Sequence, residues 1–189
     1  MILTATDKWF ADGTIPTVPD MGWDPETYGK HDYHKIDRWE YIAKYGFTLL
    51  SPELVQGMLP YGPFVEVGAG TGALANRLAD AGADIVATDD MSDEYNFKHG
   101  HHFPVASSSA TVTVRAHPDR TVIMSWPSYG SPWASHTLRA MAPGQRLIHI
   151  GESRGGCTAD DDFFDALDKD FEEIKLLPHK RFWGLHDYC

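Results

Sequence analysis

The chain has 189 residues, with 27 acidic against 16 basic side chains and a formal net charge of −11. That length fits one domain of the usual ~100–200 residues, large enough to bury roughly 70% of its unfolded surface without a disulfide or metal staple. A hydrophobic content of 42% with 12% aromatic residues excludes a disordered chain, and the acidic balance weighs against a broad nucleic-acid surface. Two cysteines, Cys157 and Cys189, make no disulfide framework and suit a reducing compartment. The first nine residues lack the basic start and apolar core of a signal peptide. No apolar run approaches the ~18 residues of a membrane span. The expectation is a soluble, cytoplasmic, single-domain α/β protein.

In chain order, the first thirty residues carry turn formers (Asp12-Gly13, Pro16, Pro19, Gly22, Pro25, Gly29) and no sustained periodicity, and read as an irregular arm. Trp9, Phe10, Trp23 and Tyr28 give it apolar surface with which to dock. A helix is predicted from about Asp32 to Gly46, with Ile36, Trp39, Ile42 and Ala43 at helical spacing. Ser51 then caps a short helix with Pro52 in its first position. From Pro63 onward short apolar runs alternate with helices. Strands are predicted at 64–67, 85–88, 121–125 and 146–150, and helices at 71–81, 132–142 and 160–167. Residues 111–114 alternate like a strand, although a right-handed crossover between parallel strands calls for a helix there. Residues 171–177 and 182–186 are predicted to close the chain as an antiparallel hairpin. The repeated β-α-β order implies a three-layer α/β/α architecture with a mostly parallel sheet. Residues 1–60 form the arm and covering helices, and residues 61–189 the Rossmann-like core.

The most informative stretch is Phe64-Val65-Glu66-Val67-Gly68-Ala69-Gly70-Thr71-Gly72. A strand feeds a glycine turn that opens a helix, where backbone can approach a ligand closely and the helix start presents N–H groups. Asp89 ends the second strand, where a carboxylate can accept both hydroxyls of an adenosine ribose. With Ala73 the loop also reads as G-x-G-x-x-A, the dinucleotide fingerprint of a nicotinamide oxidoreductase. Glu66 opposes that reading, because a pyrophosphate gains nothing from a nearby buried carboxylate, whereas a cofactor with a cationic amino-acid end does.

The run Glu-Val-Gly-Ala-Gly-Thr-Gly followed by Asp89 resembles motif I and the strand-two acid of class I S-adenosylmethionine (SAM)-dependent methyltransferases. The resemblance covers roughly residues 47–187. It extends to a subgroup of methyltransferase-like proteins with stretches similar to Ser125-Trp126-Pro127-Ser128-Tyr129, Ile150-Gly151-Glu152 with Gly155-Gly156-Cys157-Thr158, and Trp183-Gly184-Leu185-His186-Asp187. It implies the class I methyltransferase fold with SAM as cofactor. Gly68, Ala69, Gly70 and Gly72 would pass the methionine portion, Glu66 would stand near its ammonium and Asp89 would hold the ribose. Ser107 or Ser108 would lie by the adenine, and Ser125 would join the cofactor site. The family also implies that the first helix covers the pocket, which makes His31, Tyr33 and His34 candidate substrate contacts, with a solvated helix start as the more ordinary alternative.

In an open α/β sheet the ligand crevice lies at the carboxyl ends of the strands. Strand four delivers residues 125–129 there, at the position of motif IV of amino-methyltransferases, from which Trp126 and Ser128 depart. Trp126 and Tyr129 are candidates to wall a flat substrate or shield a sulfonium by cation–π contact. Glu152, at the end of strand five, is a candidate to orient or deprotonate substrate. Cys157 reads as packing more readily than as a nucleophile. His99, His101 and His102, with Asp93 or Glu94, offer metal-type donors without a zinc-like spacing, so a polar loop is the expectation and no metal is assigned. His186 and Asp187 point to opposite faces if in a strand and are assigned no triad. The expected function is methyl transfer to a small or medium-sized acceptor. SAM cleavage by a lyase or hydrolase and non-catalytic SAM binding are the alternatives. A small-molecule acceptor is favoured over nucleic acid, and a homo-oligomer is left open.

Overall fold

A computed structural model describes residues 38–92, 100–179 and 186–189. The N-terminal arm with His31, Tyr33 and His34, the segment holding Asp93, Glu94 and His99, and most of the second hairpin strand lie outside the described residues. The elements are α1 (Arg38–Tyr45), α2 (Pro52–Met58), a 3-10 turn (Leu59–Tyr61), β1 (Phe64–Val67), α3 (Ala73–Asp80), β2 (Ile85–Asp89), β3 (Val105–Ser107), α4 (Ala110–Ala116), β4 (Thr121–Ser125), α5 (Trp133–Ala140), β5 (Leu147–Glu152), α6 (Asp161–Asp170) and β6 (Asp187–Tyr188). Local chemistry sets several boundaries. Ser51 Oγ accepts the Leu54 N–H ahead of Pro52, and Asp160 accepts the Phe163 N–H at the start of α6. Gly46, at φ +86, ends α1.

The strands form one six-stranded sheet in the order β3-β2-β1-β4-β5-β6, parallel except for β6. Helices cover both faces. Alternation along β1 sends Phe64 to a core with Leu54, Met58, Leu74 and Leu78 from α2 and α3, and Val65 and Val67 to a second core with Val114, Leu138 and Phe163 from α4, α5 and α6. The chain builds outward from β1 to β3 and then returns to β4 on the other side of β1. Loops leaving β1 and β4 therefore diverge, and a crevice opens at the carboxyl ends of these central strands. Among the described residues no helix is long and apolar enough to cross a membrane.

One open reading is resolved and one expectation changes. Residues 111–114 are helical, within α4, despite their β-branched run. Thr113 and Val114 are buried, while Val112 stays 58% exposed, so the crossover from β3 to β4 overrides local propensity. The antiparallel hairpin is not formed as predicted. Residues 171–177 make no strand, and only Leu177 donates its N–H to the Cys189 carbonyl (2.7 Å). The place beside β5 is taken by Asp187–Tyr188, paired with Gly151 and Glu152.

Candidate functional site

The crevice is a cleft of about 780 Å³. The β1 loop (Glu66, Gly68–Thr71), the β2 end (Asp89, Asp90), the start of α4, the β4 end (Ser125–Tyr129) and Glu152 of β5 all line it, together with residues 45–48 after α1. All three non-glycine residues with positive φ among the described residues follow strands at this edge: Met91 (+60), Trp126 (+51) and Ala159 (+54). Such a conformation costs about 1–2 kcal/mol per residue and persists where surrounding structure enforces it.

The glycine loop is shaped from within. Gly68 sits at φ +66, and a Cβ there would meet the Trp133 ring at 3.0 Å, so the outer end of the α5 indole packs closely on this turn. Gly70, at φ +52, faces open space instead, with nothing within 4 Å of the same position. The loop's N–H groups are largely occupied. Ala69 N–H donates to the Thr88 carbonyl (3.0 Å), Gly70 N–H to Asp89 Oδ2 (2.9 Å) and Gly72 N–H to the Ala69 carbonyl (2.8 Å). The expectation of donors presented to a ligand is therefore corrected for these three positions: the turn is closed by its own carbonyls and by Asp89. Asp89 Oδ1 also accepts the Met91 N–H (2.9 Å), so this acid ties the β1 and β2 loops together while still lining the cleft.

Glu66 is the anomaly of the site. It lies in the middle of the fully buried β1, is 2% exposed, and lines the cleft beneath the loop. Its carboxylate takes the Ala75 N–H in the first turn of α3, yet Oε2 has no partner. Burial pushes its pKa up to about 8; the Ala75 bond opposes this and the nearby Asp89 charge adds to it. A buried acid with one unused oxygen facing a cleft is a place where a ligand donor is missing.

On the other side of the cleft, Trp126 donates its backbone N–H to the Ile150 carbonyl (2.7 Å), stacks on Phe47 (centroids 5.0 Å, planes 24° apart) and keeps its buried indole N–H without a partner among the described residues. Ser125 Oγ meets Thr48 Oγ1 at 2.5 Å, so the segment after α1 is pinned to the β4 end. Tyr129 stands 73% exposed at the rim. Glu152, the expected acid or base, has both oxygens engaged: Cys157 N–H donates to Oε2 (2.7 Å) and His186 N–H to Oε1 (3.1 Å). The Cys157 bond holds its carboxyl below the usual range, which makes it a fixed negative charge that anchors a loop and a poor proton acceptor.

Of the other expected residues, Gly72 and Ser107 stand outside the cleft lining. A Cβ at Gly72 would meet Val105 at the start of β3 and Phe103 just ahead of it, and Ser107 pairs in register with Asp89 and is exposed. Ser109, Ala110 and Thr111 occupy the place expected of Ser107 or Ser108. His102 is structural: its N–H donates to the Thr71 carbonyl (2.8 Å), its ring bonds the Lys44 carbonyl and stacks on Tyr45 at 4.9 Å. Trp133 was missed from the sequence, as was the His136 side chain that also lines the cleft; their i, i+3 spacing on α5 was the available signal. A buried His179–Asp187 pair was also missed; Asp187 bonds an imidazole eight residues away, and the adjacent His186 instead bonds Glu152 through its backbone. No protein-family model matches the chain, and no curated protein matches it in sequence.

Proposed function

We propose that the protein is a SAM-dependent methyltransferase of class I fold that acts on a small or medium-sized acceptor by direct methyl transfer. The observation that carries this reading is the partnerless Oε2 of Glu66 under a glycine turn. The cofactor, when bound, supplies an electrophilic methyl on a sulfonium, and its amino-acid end carries an ammonium of the kind this oxygen lacks. Three further features fit the same group. Gly70 leaves open space where a side chain would intrude, and Asp89 lines the cleft at the neighbouring strand end with carboxylate lone pairs for a ribose. Ser109 and Thr111 border the region next to β3.

A dinucleotide fits less well. Its pyrophosphate needs free N–H groups or cations, whereas the loop's N–H groups at 69, 70 and 72 are occupied and Glu66 is acidic. The catalytic share of the protein is positioning: holding the acceptor in line with the methyl and keeping water out, with Trp126 and Tyr129 as walls.

Calorimetry with SAM tests the reading directly. At pH 7 the Glu66 carboxyl, with a pKa near 8, is largely protonated, so pairing with an ammonium releases its proton. Binding enthalpies in buffers of different ionisation heat should reveal close to one proton released, and Glu66→Gln should abolish the release and weaken binding at least about tenfold. Absence of SAM binding would overturn the reading. With extract present, S-adenosylhomocysteine as product supports transfer. Methylthioadenosine or homoserine lactone formed without extract would assign cleavage instead.

A further inference from the structure

The cleft distributes charge and aromatic surface in a way that cofactor binding does not use. Four carboxyl side chains line it, Glu66, Asp89, Asp90 and Glu152, and among the described residues no lysine or arginine does. Glu66 and Asp89 belong to the β1–β2 half. Glu152 stands at the end of β5, next in the sheet to the β4 end that carries Trp126. Around it are π-faces: the Phe47–Trp126 stack and the exposed ring of Tyr129. Trp126 is held there in a left-handed conformation by the Ile150 carbonyl and by Phe47, so this aromatic wall is imposed on the chain, not adopted by default.

We infer that the β4–β5 half of the cleft, on the methyltransferase reading above, recruits its acceptor as a protonated amine bearing an aromatic ring, which releases its proton to solvent before the free nitrogen lone pair takes the methyl, and rejects acceptors bearing phosphate or carboxylate. A cation near Glu152 gains Coulomb attraction in a partly dehydrated cleft and a cation–π contact with the ring faces. An anion would be stripped of water beside a fixed negative charge with no lysine or arginine among the described lining residues to receive it, which is discrimination by repulsion as well as by attraction. The partnerless Glu66 oxygen shows that this lining already contains a buried acid without a counter-group.

The test uses the full chain and four probes that share one ring: 2-phenylethylamine, 2-phenylethanol, 3-phenylpropionate and phenyl phosphate. Binding is followed by tryptophan fluorescence and by ligand-observed NMR, with saturating S-adenosylhomocysteine present and, separately, in Glu66→Gln protein without it, so that the β1 acid is not the site read. The amine should bind at least about tenfold more tightly than either anion, and the preference should shrink as salt is raised. Its saturated-ring analogue should bind more weakly, and Phe47→Ala should weaken the amine severalfold. Glu152→Gln should reduce the preference for the amine. Should that variant fail to fold, Tyr129→Ala at the exposed rim of the same half should weaken the amine severalfold with little loss of stability. Anions bound as well as the amine, or amine displaced by S-adenosylhomocysteine, would overturn the inference. Binding of S-adenosylhomocysteine with no amine preference sinks the acceptor class alone. An amine preference in protein that binds neither SAM nor its product sinks the cofactor reading and leaves the cation-selective half standing.

Discussion

Glu66 and Glu152 are the same residue type in two parallel strands, both buried, both lining one cleft, and their carboxyl groups are driven in opposite directions. Glu66 has a single backbone donor and an idle Oε2, and its pKa rises to about 8 through burial. Glu152 receives N–H groups from Cys157 and His186 on its two oxygens and is held ionised. Both side chains are nearly inaccessible, 2% and 7% exposed, but Glu66 lies deeper, where loss of water dominates, whereas at Glu152 the N–H groups donated to its two oxygens dominate. The β1–β2 half therefore holds an acid with a missing partner, and the β4–β5 half an acid whose partners are complete, beside the unpartnered indole N–H of Trp126. The first has the character of a ligand site and the second of a rigid wall.

The largest effect that would break this contrast is on stability. Glu152→Ala leaves the Cys157 and His186 N–H groups without their acceptor and should lower unfolding free energy by about 3 kcal/mol, read from urea denaturation. Little change would mean the loop is not anchored there. Gly68→Ala introduces a Cβ at φ +66 and 3.0 Å from the Trp133 ring, and should cost about 2 kcal/mol while removing SAM binding.

The third prediction separates the two acids by pH. Glu66 is raised from 4.5 to about 8, so the folded state binds more protons than the unfolded one between those values and stability falls as pH rises through them. His149, buried against Phe163 with neither ring nitrogen bonded, is lowered from 6.5 to about 4, so its contribution is lost as pH falls across that interval. The two slopes oppose each other between 4.5 and 6.5, and from 6.5 to about 8 only that of Glu66 acts. Thermal unfolding should show stability declining over this upper window, and Glu66→Gln should flatten it. Glu152→Gln should not flatten it, because Glu152 titrates below the ordinary range. The smallest effect is expected at Tyr129: with 73% of it exposed, Tyr129→Ala should change stability by no more than about 0.5 kcal/mol. Its cost should appear in acceptor binding.

The central strands were legible because the four consecutive buried residues of β1 and of β4 are apolar apart from Glu66 and Thr121. The glycine loop and Asp89 were legible because close backbone approach leaves a mark in residue type. The α4 helix was not, since Thr111–Val114 alternates by composition and only the requirement to cross from β3 to β4 resolves it. Nor was the C-terminal pairing: residues 171–177 have strand-like composition, but a strand needs a free neighbour, and Asp187–Tyr188 already occupies the edge of β5.

What the sequence determined by itself was therefore the local grammar: the strand–glycine turn–helix unit, the acid two residues before it, and an acidic chain of one-domain size. Tertiary structure alone decided the state of each acid and the company it keeps. Glu66 Oε2 lacks a partner because no donor among the described residues reaches it, and Glu152 is satisfied by residues 5 and 34 positions away. Hydrogen-bond satisfaction is a property of three-dimensional neighbours, and for two glutamates of equal intrinsic chemistry it is what distinguishes the proposed cofactor anchor from the wall.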